Sequence, residues 1–91
     1  MNNMKEIIEK GAFLVDVRTP EEFAEGHVNA SVNIPLDQLA NQLDAFQGKE
    51  NIIVFCRSGA RSGMAKSILE QAGFSNVVNG GPWTAVKALI D

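Results

Sequence analysis

Seven consecutive residues, Cys56-Arg57-Ser58-Gly59-Ala60-Arg61-Ser62, concentrate the reactive chemistry of this chain, and Cys56 is its only cysteine. A cysteine attacks as the thiolate, and an ordinary thiol, with a pKa near about 8.5, is mostly protonated at neutral pH. The neighbours of Cys56 favour the anion. Arginine keeps its charge, so Arg57 and Arg61 place two cations within one short loop. Gly59 permits a positive φ, which lets successive backbone N–H groups converge on one centre. Ser58 and Ser62 add hydroxyl donors, and Ser62 is placed to cap a following helix. A lone cysteine at the end of an apolar strand is ordinarily a small buried hydrophobe. Two arginines, two serines and a glycine beside it make a poor core but a suitable anion cradle. The expectation is a catalytic Cys56 with Arg57, Ser58, Gly59, Ala60, Arg61 and Ser62 as the substrate-binding loop. A persulfide carried on Cys56 is an anion that such a loop would hold.

The loop needs a strand that ends at it and a helix that leaves it. Asn51 opens the apolar run Ile52-Ile53-Val54-Phe55, which leads directly into Cys56. Met64, Ala65, Ile68, Leu69 and Ala72 then recur at helical spacing and stop at Gly73. Upstream, Met4, Ile7 and Ile8 form a short helical stripe ended by Gly11. Phe13 to Val17 reads as a strand covered on both faces. Thr19-Pro20-Glu21-Glu22 supplies an N-cap, a proline at the first helical position and acids in the first turn, and that helix stops at Gly26. Val32 to Ile34 is a short strand. Leu36, Leu39, Leu43 and Phe46 predict a helix that ends at Gly48. Val77-Val78 predicts a last strand, Asn79-Gly80-Gly81-Pro82 a turn, and Trp83, Val86, Leu89 and Ile90 a closing helix.

Strands alternating with helices predict an α/β fold: a small central parallel sheet of about four to five strands with helices on both faces and right-handed crossovers. The 91 residues are expected to form one domain, 1–91. In such sheets ligands bind outside the carboxyl ends of the strands, where the loop after Cys56 falls.

Composition narrows the partners. A net charge of -3 and a pI near 5.0 lack the positive field of a nucleic-acid surface. One cysteine permits no intrachain disulfide and no multi-cysteine zinc site, and one histidine, His27, permits no histidine-rich metal site. No apolar run approaches the roughly 20 residues that span a bilayer. Met1 to Lys10 is polar and charged, unlike a secretory signal, so a cytoplasmic protein is expected.

The residues taken in order also resemble a family. Asp16-Val17-Arg18, Glu22-Phe23, Gly26-His27-Val28 and Asn33-Ile34-Pro35 resemble the front half of rhodanese domains. Cys56-Arg57-Ser58-Gly59-Ala60-Arg61 is similar to their active-site loop, and Gly80-Gly81 resembles a glycine pair near their end. The resemblance covers nearly the whole chain. It implies a sulfurtransferase that moves the outer sulfur of thiosulfate, or of a persulfide, to a thiophilic acceptor such as cyanide or a thiol. The route it implies is covalent double displacement through a Cys56 persulfide, with no metal and no organic cofactor. Tyrosine-phosphatase-like sites have one more residue between cysteine and arginine. Here that position is Ser62, and Phe55 rather than histidine precedes Cys56, so a phosphatase or arsenate reductase is disfavoured. Where the family has glycine and alanine after its His-x-x step, this chain has Ala30 and Ser31, a departure that concerns the local turn.

The remaining candidates receive structural readings. His27 is expected to hydrogen-bond within its fold motif rather than act as a base, since a preformed thiolate needs none. Asp16 and Arg18 are expected to hold neighbouring loops by an ion pair or by backbone hydrogen bonds. Glu21, Glu22 and Glu25 read as a solvated helix face, and Trp83 as packing for the last helix. Arg57 is expected to be the exposed cation and Arg61 to turn inward and hold the loop. The partners are a small anionic sulfur donor such as thiosulfate and an external thiol or protein acceptor, because the chain lacks a resolving cysteine. The alternative is a sulfur carrier or interaction module that passes sulfur between proteins with little thiosulfate activity.

Overall fold

The run Ile52-Ile53-Val54-Phe55-Cys56 becomes the central strand because β-branched and aromatic residues suit a pleat covered from both sides. In the computed structural model, which describes residues 4–90, this strand is β3 (Ile52–Cys56), and all five of its residues are buried. In chain order the elements are α1 (Met4–Glu9), β1 (Phe13–Asp16), α2 (Pro20–Glu25), β2 (Val32–Asn33), two 3₁₀ segments (Leu36–Asn41 and Leu43–Phe46), β3, α3 (Ala60–Gln71), β4 (Val77–Pro82) and α4 (Trp83–Ile90). The sheet order is β2-β1-β3-β4, and every neighbouring pair is parallel. The expected α/β architecture is therefore present with four strands. The expectation of one domain over 1–91 extends to Met1, Asn2, Asn3 and Asp91, which lie outside the described residues.

Alternate residues of each strand serve opposite faces. Ile52, Val54 and Cys56 join Val15, Val17 and Val77 on the face covered by Ala65 and Leu69 of α3 and by Leu39 and Phe46 of the 3₁₀ segments. Ile53 and Phe55 join Leu14, Val28 and Val86 on the other face, against Ile7 and Ile8 of α1 and Trp83 of α4. Cys56 thus points toward α3, the helix that its own loop begins. Among the described residues no helix is long and apolar enough to cross a membrane.

Two segments differ from the sequence expectation. Leu36 to Phe46 is not one helix, because the chain breaks at Gln42, with φ -127° and ψ 31°. Asp37, Asn41 and Asp44 compete for backbone hydrogen bonds and weaken a regular helix. Complete burial of Leu39 and Phe46 holds the two shorter segments in place, each such side chain being worth about 1.5–3 kcal/mol. At the other end of the chain, Asn79-Gly80-Gly81-Pro82 does not turn but continues β4. Val54 pairs with Asn79 and Phe55 with Gly81, so Gly80 is the extra residue of a bulge. A Cβ at Gly80 would lie 3.0 Å from side-chain carbons of both Ile53 and Val86, so any side chain there would have to push both aside. The bulge leaves Asn79 beside the loop that follows β3.

Candidate active site

Strand β3 delivers a Cys56 that is only 1% exposed. Helix α3 then starts at Ala60, with Gly59 as its N-cap at φ 105° and ψ -12°, a left-handed conformation that suits glycine. This turn folds the backbone over the sulfur. The Gly59 N–H donates to Sγ at 3.0 Å and the Ser62 N–H at 3.4 Å. The Ser62 hydroxyl oxygen lies 3.5 Å from Sγ. Burial pushes the Cys56 thiol up. The Ser62 hydroxyl and N–H, with the N–H groups of Gly59 and Ser58, outweigh it and hold the thiol below its ordinary value. The converging donors expected from the sequence are therefore present around the sulfur.

Ser62 does not cap α3 as expected; Gly59 holds that position. Ser62 lies within the first turn, and its Oγ is 3.1 Å from the Gly59 carbonyl oxygen and 2.6 Å from Asn79 Oδ1. Asn79 Nδ2 donates to the same Gly59 carbonyl at 3.2 Å, and the Gly81 N–H donates to Asn79 Oδ1 at 2.9 Å. Sequence reasoning missed Asn79 by placing it in a turn. The available signal was an asparagine two residues before a backbone N–H that its side chain could accept from, in a stretch whose glycines permit a bulge.

The two arginines of the loop diverge. Arg57 is exposed and lines an open cavity of about 260 Å³ with Arg18, Glu22, Glu25, Gly26 and Trp83. Arg61 turns away to Glu22, Nη1 donating to Oε1 at 2.7 Å and Nη2 to Oε2 at 3.0 Å. Arg61 is thus the less exposed of the two, but it is anchored outward on α2 rather than turned in toward the sulfur. Glu22 corrects the reading of a purely solvated acidic face. The Arg61 fork, with the Thr19 N–H, lowers its carboxyl to about 2. The same pairing raises the Arg61 guanidinium. Glu22 also completes a capping box with Thr19, so one carboxylate fixes the start of α2 and the start of α3 together. Ser58 and Ala60 are exposed at the rim of the loop.

Behind the cavity, Arg18 and Asp16 form an ion pair. Both are buried, with Arg18 Nε within 3.0 Å of both carboxylate oxygens and Nη2 at 2.7 Å from Oδ2. Arg18 Nη2 also donates to the Gly26 carbonyl at 2.7 Å, and its guanidinium stacks 4.6 Å over the Trp83 ring. Trp83 therefore lines the cavity and covers Arg18 as well as packing α4. His27 bonds to the Phe23 carbonyl through Nδ1 at 2.9 Å and stacks on the Phe23 ring at 4.0 Å, the structural role expected of it.

Comparison with known proteins agrees with this geometry. The family model described as Rhodanese-like domain matches residues 1–82. The thiosulfate sulfurtransferase PspE of Escherichia coli is 36% identical over 69 residues, covering 74% of this chain and 66% of PspE. A rhodanese from E. coli solved with anions superposes with a TM-score of 0.75 at 32% identity, over 82% of this chain and 91% of that one. The human single-domain sulfurtransferase TSTD1 superposes with a TM-score of 0.77 at 26% identity, over 91% of this chain and 88% of that one. The chain spans between 59% and 66% of the length of the first curated relatives that it matches.

Proposed function

The chain belongs to the rhodanese-like domain family, and from that premise we propose that it is a thiosulfate sulfurtransferase working through a persulfide on Cys56. The observation that carries the proposal is the convergence of the Gly59 and Ser62 N–H groups on Cys56 Sγ, in a loop whose next residue, Arg57, is exposed. Names given to relatives, such as that of PspE, support it.

The thiolate of Cys56 attacks the outer sulfur of thiosulfate. A sulfur–sulfur bond forms to Sγ, the bond from the outer sulfur to the sulfonate sulfur breaks, and sulfite leaves with that electron pair. Cyanide or a thiolate then attacks the outer sulfur of the persulfide, and the Cys56 thiolate departs with the electrons of the broken bond. No external oxidant is needed. Arg57 receives the sulfonate oxygens. Backbone N–H groups stabilise the sulfur anion in each state without reorganising. Arg61 and Glu22 keep the loop in shape. The acceptor is external, because Cys56 is the only thiol.

Loss of thiocyanate formation from thiosulfate and cyanide in Cys56→Ser, with the fold retained, is the expected result of a steady-state assay. Equal turnover in the variant would remove Cys56 from the mechanism. We also propose, independently of that chemistry, a single-domain working unit, 1–91, acting in the cytoplasm.

A second reading, a sulfur carrier that passes its persulfide to a protein acceptor, rests on a different observation. An apolar groove of about 300 Å³, lined by Val17, Thr19, Pro35, Leu36, Asp37 and Arg61, runs beside the loop. A persulfide that forms but turns over slowly with every small acceptor would favour this reading.

A further inference from the structure

The Ser62 hydroxyl has one proton and three acceptors within reach: Asn79 Oδ1 at 2.6 Å, the Gly59 carbonyl oxygen at 3.1 Å and Cys56 Sγ at 3.5 Å. The orientation of the Asn79 amide is fixed from both ends. The Gly81 N–H donates to its oxygen, and its nitrogen donates to the Gly59 carbonyl. The end that faces Ser62 is therefore an oxygen, which can only accept. The shortest contact takes the hydroxyl proton, and Ser62 then turns a lone pair toward Sγ. That arrangement suits a thiol, whose S–H can donate to the hydroxyl oxygen. It does not suit a sulfur anion, which only accepts. When Cys56 becomes anionic, the hydroxyl must rotate toward the sulfur and give up Asn79.

We propose that Asn79 is a positioning residue that competes with the Cys56 sulfur for the single Ser62 proton, holding it while Cys56 is a thiol and yielding it when the sulfur is an anion. The proposal rests on Cys56 being the reactive thiolate of the preceding section. Breaking the bond to Asn79 opposes ionisation of the thiol, so Asn79 restrains the acidity that the backbone N–H groups create. The charged groups around the sulfur are Arg57 and Arg61 on the loop and α3, Asp16 and Arg18 at the end of β1, and Glu22 on α2. None of them changes in Asn79→Ala, Ser62→Ala or the double variant, so their fields are constant across that comparison.

The test is the rate of Cys56 alkylation by iodoacetamide against pH in the full chain, for wild type, Asn79→Ala, Ser62→Ala and the double variant. Asn79→Ala frees the hydroxyl for the sulfur, and the midpoint is expected to fall by roughly half a pH unit, about a threefold gain in thiolate below the midpoint. Ser62→Ala is expected to raise the midpoint, and adding Asn79→Ala to it to change nothing further, because the proton in contention is gone. A shift from Asn79→Ala that persists in the Ser62→Ala background, or that is absent or upward beside Ser62, overturns the proposal. If Asn79→Ala does not fold, the isosteric Asn79→Asp replaces it, keeping an oxygen toward Ser62 while giving up the donor to the Gly59 carbonyl. Its carboxylate would hold the proton more firmly and raise the midpoint more beside Ser62 than in the Ser62→Ala background. An equal rise in both backgrounds reduces Asn79 to a bystander. The alkylation midpoint is readable whether or not thiosulfate is the donor, so failure of the sulfurtransferase reading and failure of this one are separate outcomes.

Discussion

Arg61 belongs to the loop that wraps Cys56, yet its guanidinium locks in a two-pronged ion pair onto Glu22, 39 positions earlier in the chain. Neutralising one of two loop arginines leaves Arg57 as the cation presented to an incoming anion. It also ties α2 to α3 at the mouth of the site. Glu22→Gln is expected to lower stability by about 1 kcal/mol, as befits a half-exposed pair that is also a helix cap. The pH dependence has a definite sign. The folded carboxyl titrates at about 2, below an unfolded value near about 4.3, so its contribution is present above the unfolded value and lost as pH falls through the folded one. Denaturant midpoints at pH 6 and near pH 2 should therefore show the deficit of the variant shrinking with acid. A deficit that stays constant across that range contradicts the pairing.

The two arginines should separate kinetically. Arg57→Ala is expected to raise KM for thiosulfate about tenfold, the size of one charge-assisted hydrogen bond, with little change in Tm. Arg61→Ala should instead lower Tm and reduce kcat through a loosened loop. Parallel losses in both variants would end the division of labour.

Cys56 should ionise below the ordinary thiol value, because its hydrogen bonds outweigh its burial. A folded value below the unfolded one means that, between the two, the unfolded chain binds more protons. Stability relative to Cys56→Ser should therefore rise as pH climbs from the folded value to about 8.5 and level off above it. A difference that falls over that interval would show that the loop favours the neutral thiol.

Ala30 adopts φ 68°, and it is the only residue other than glycine with a positive φ among those described. A side chain in that conformation costs roughly 1–2 kcal/mol, and glycine returns part of the gain as unfolded-state entropy. Ala30→Gly is expected to raise stability by about 0.5–1 kcal/mol, seen as a Tm higher by several degrees. A lower Tm would mean that the turn is not strained.

Much of this molecule could be read from its residues. The apolar run ending at Cys56, the glycine after it and the helical spacing from Met64 onward place a cysteine at the carboxyl end of a buried strand, and the structure puts it there. The Thr19-Pro20 start of α2 was equally plain, because capping is local chemistry. What escaped is non-local. Glu22 looked like any acid in a first helical turn, since nothing in its neighbourhood points to Arg61. Asn79 looked like a turn residue, because asparagine before two glycines usually is one. Only pairing with β3 makes Gly80 a bulge and brings the amide to Ser62. The 3₁₀ segments were misread because Leu36, Leu39, Leu43 and Phe46 fit a helical period that the polar residues between them do not sustain.

The most direct test of the account is the intact mass of the reduced protein after incubation with thiosulfate, beside Cys56→Ser. The account predicts a gain of one sulfur atom, absent from the variant and discharged by cyanide as thiocyanate. A folded protein with a titratable thiol and no gain in mass would contradict the thiosulfate persulfide on which the account turns.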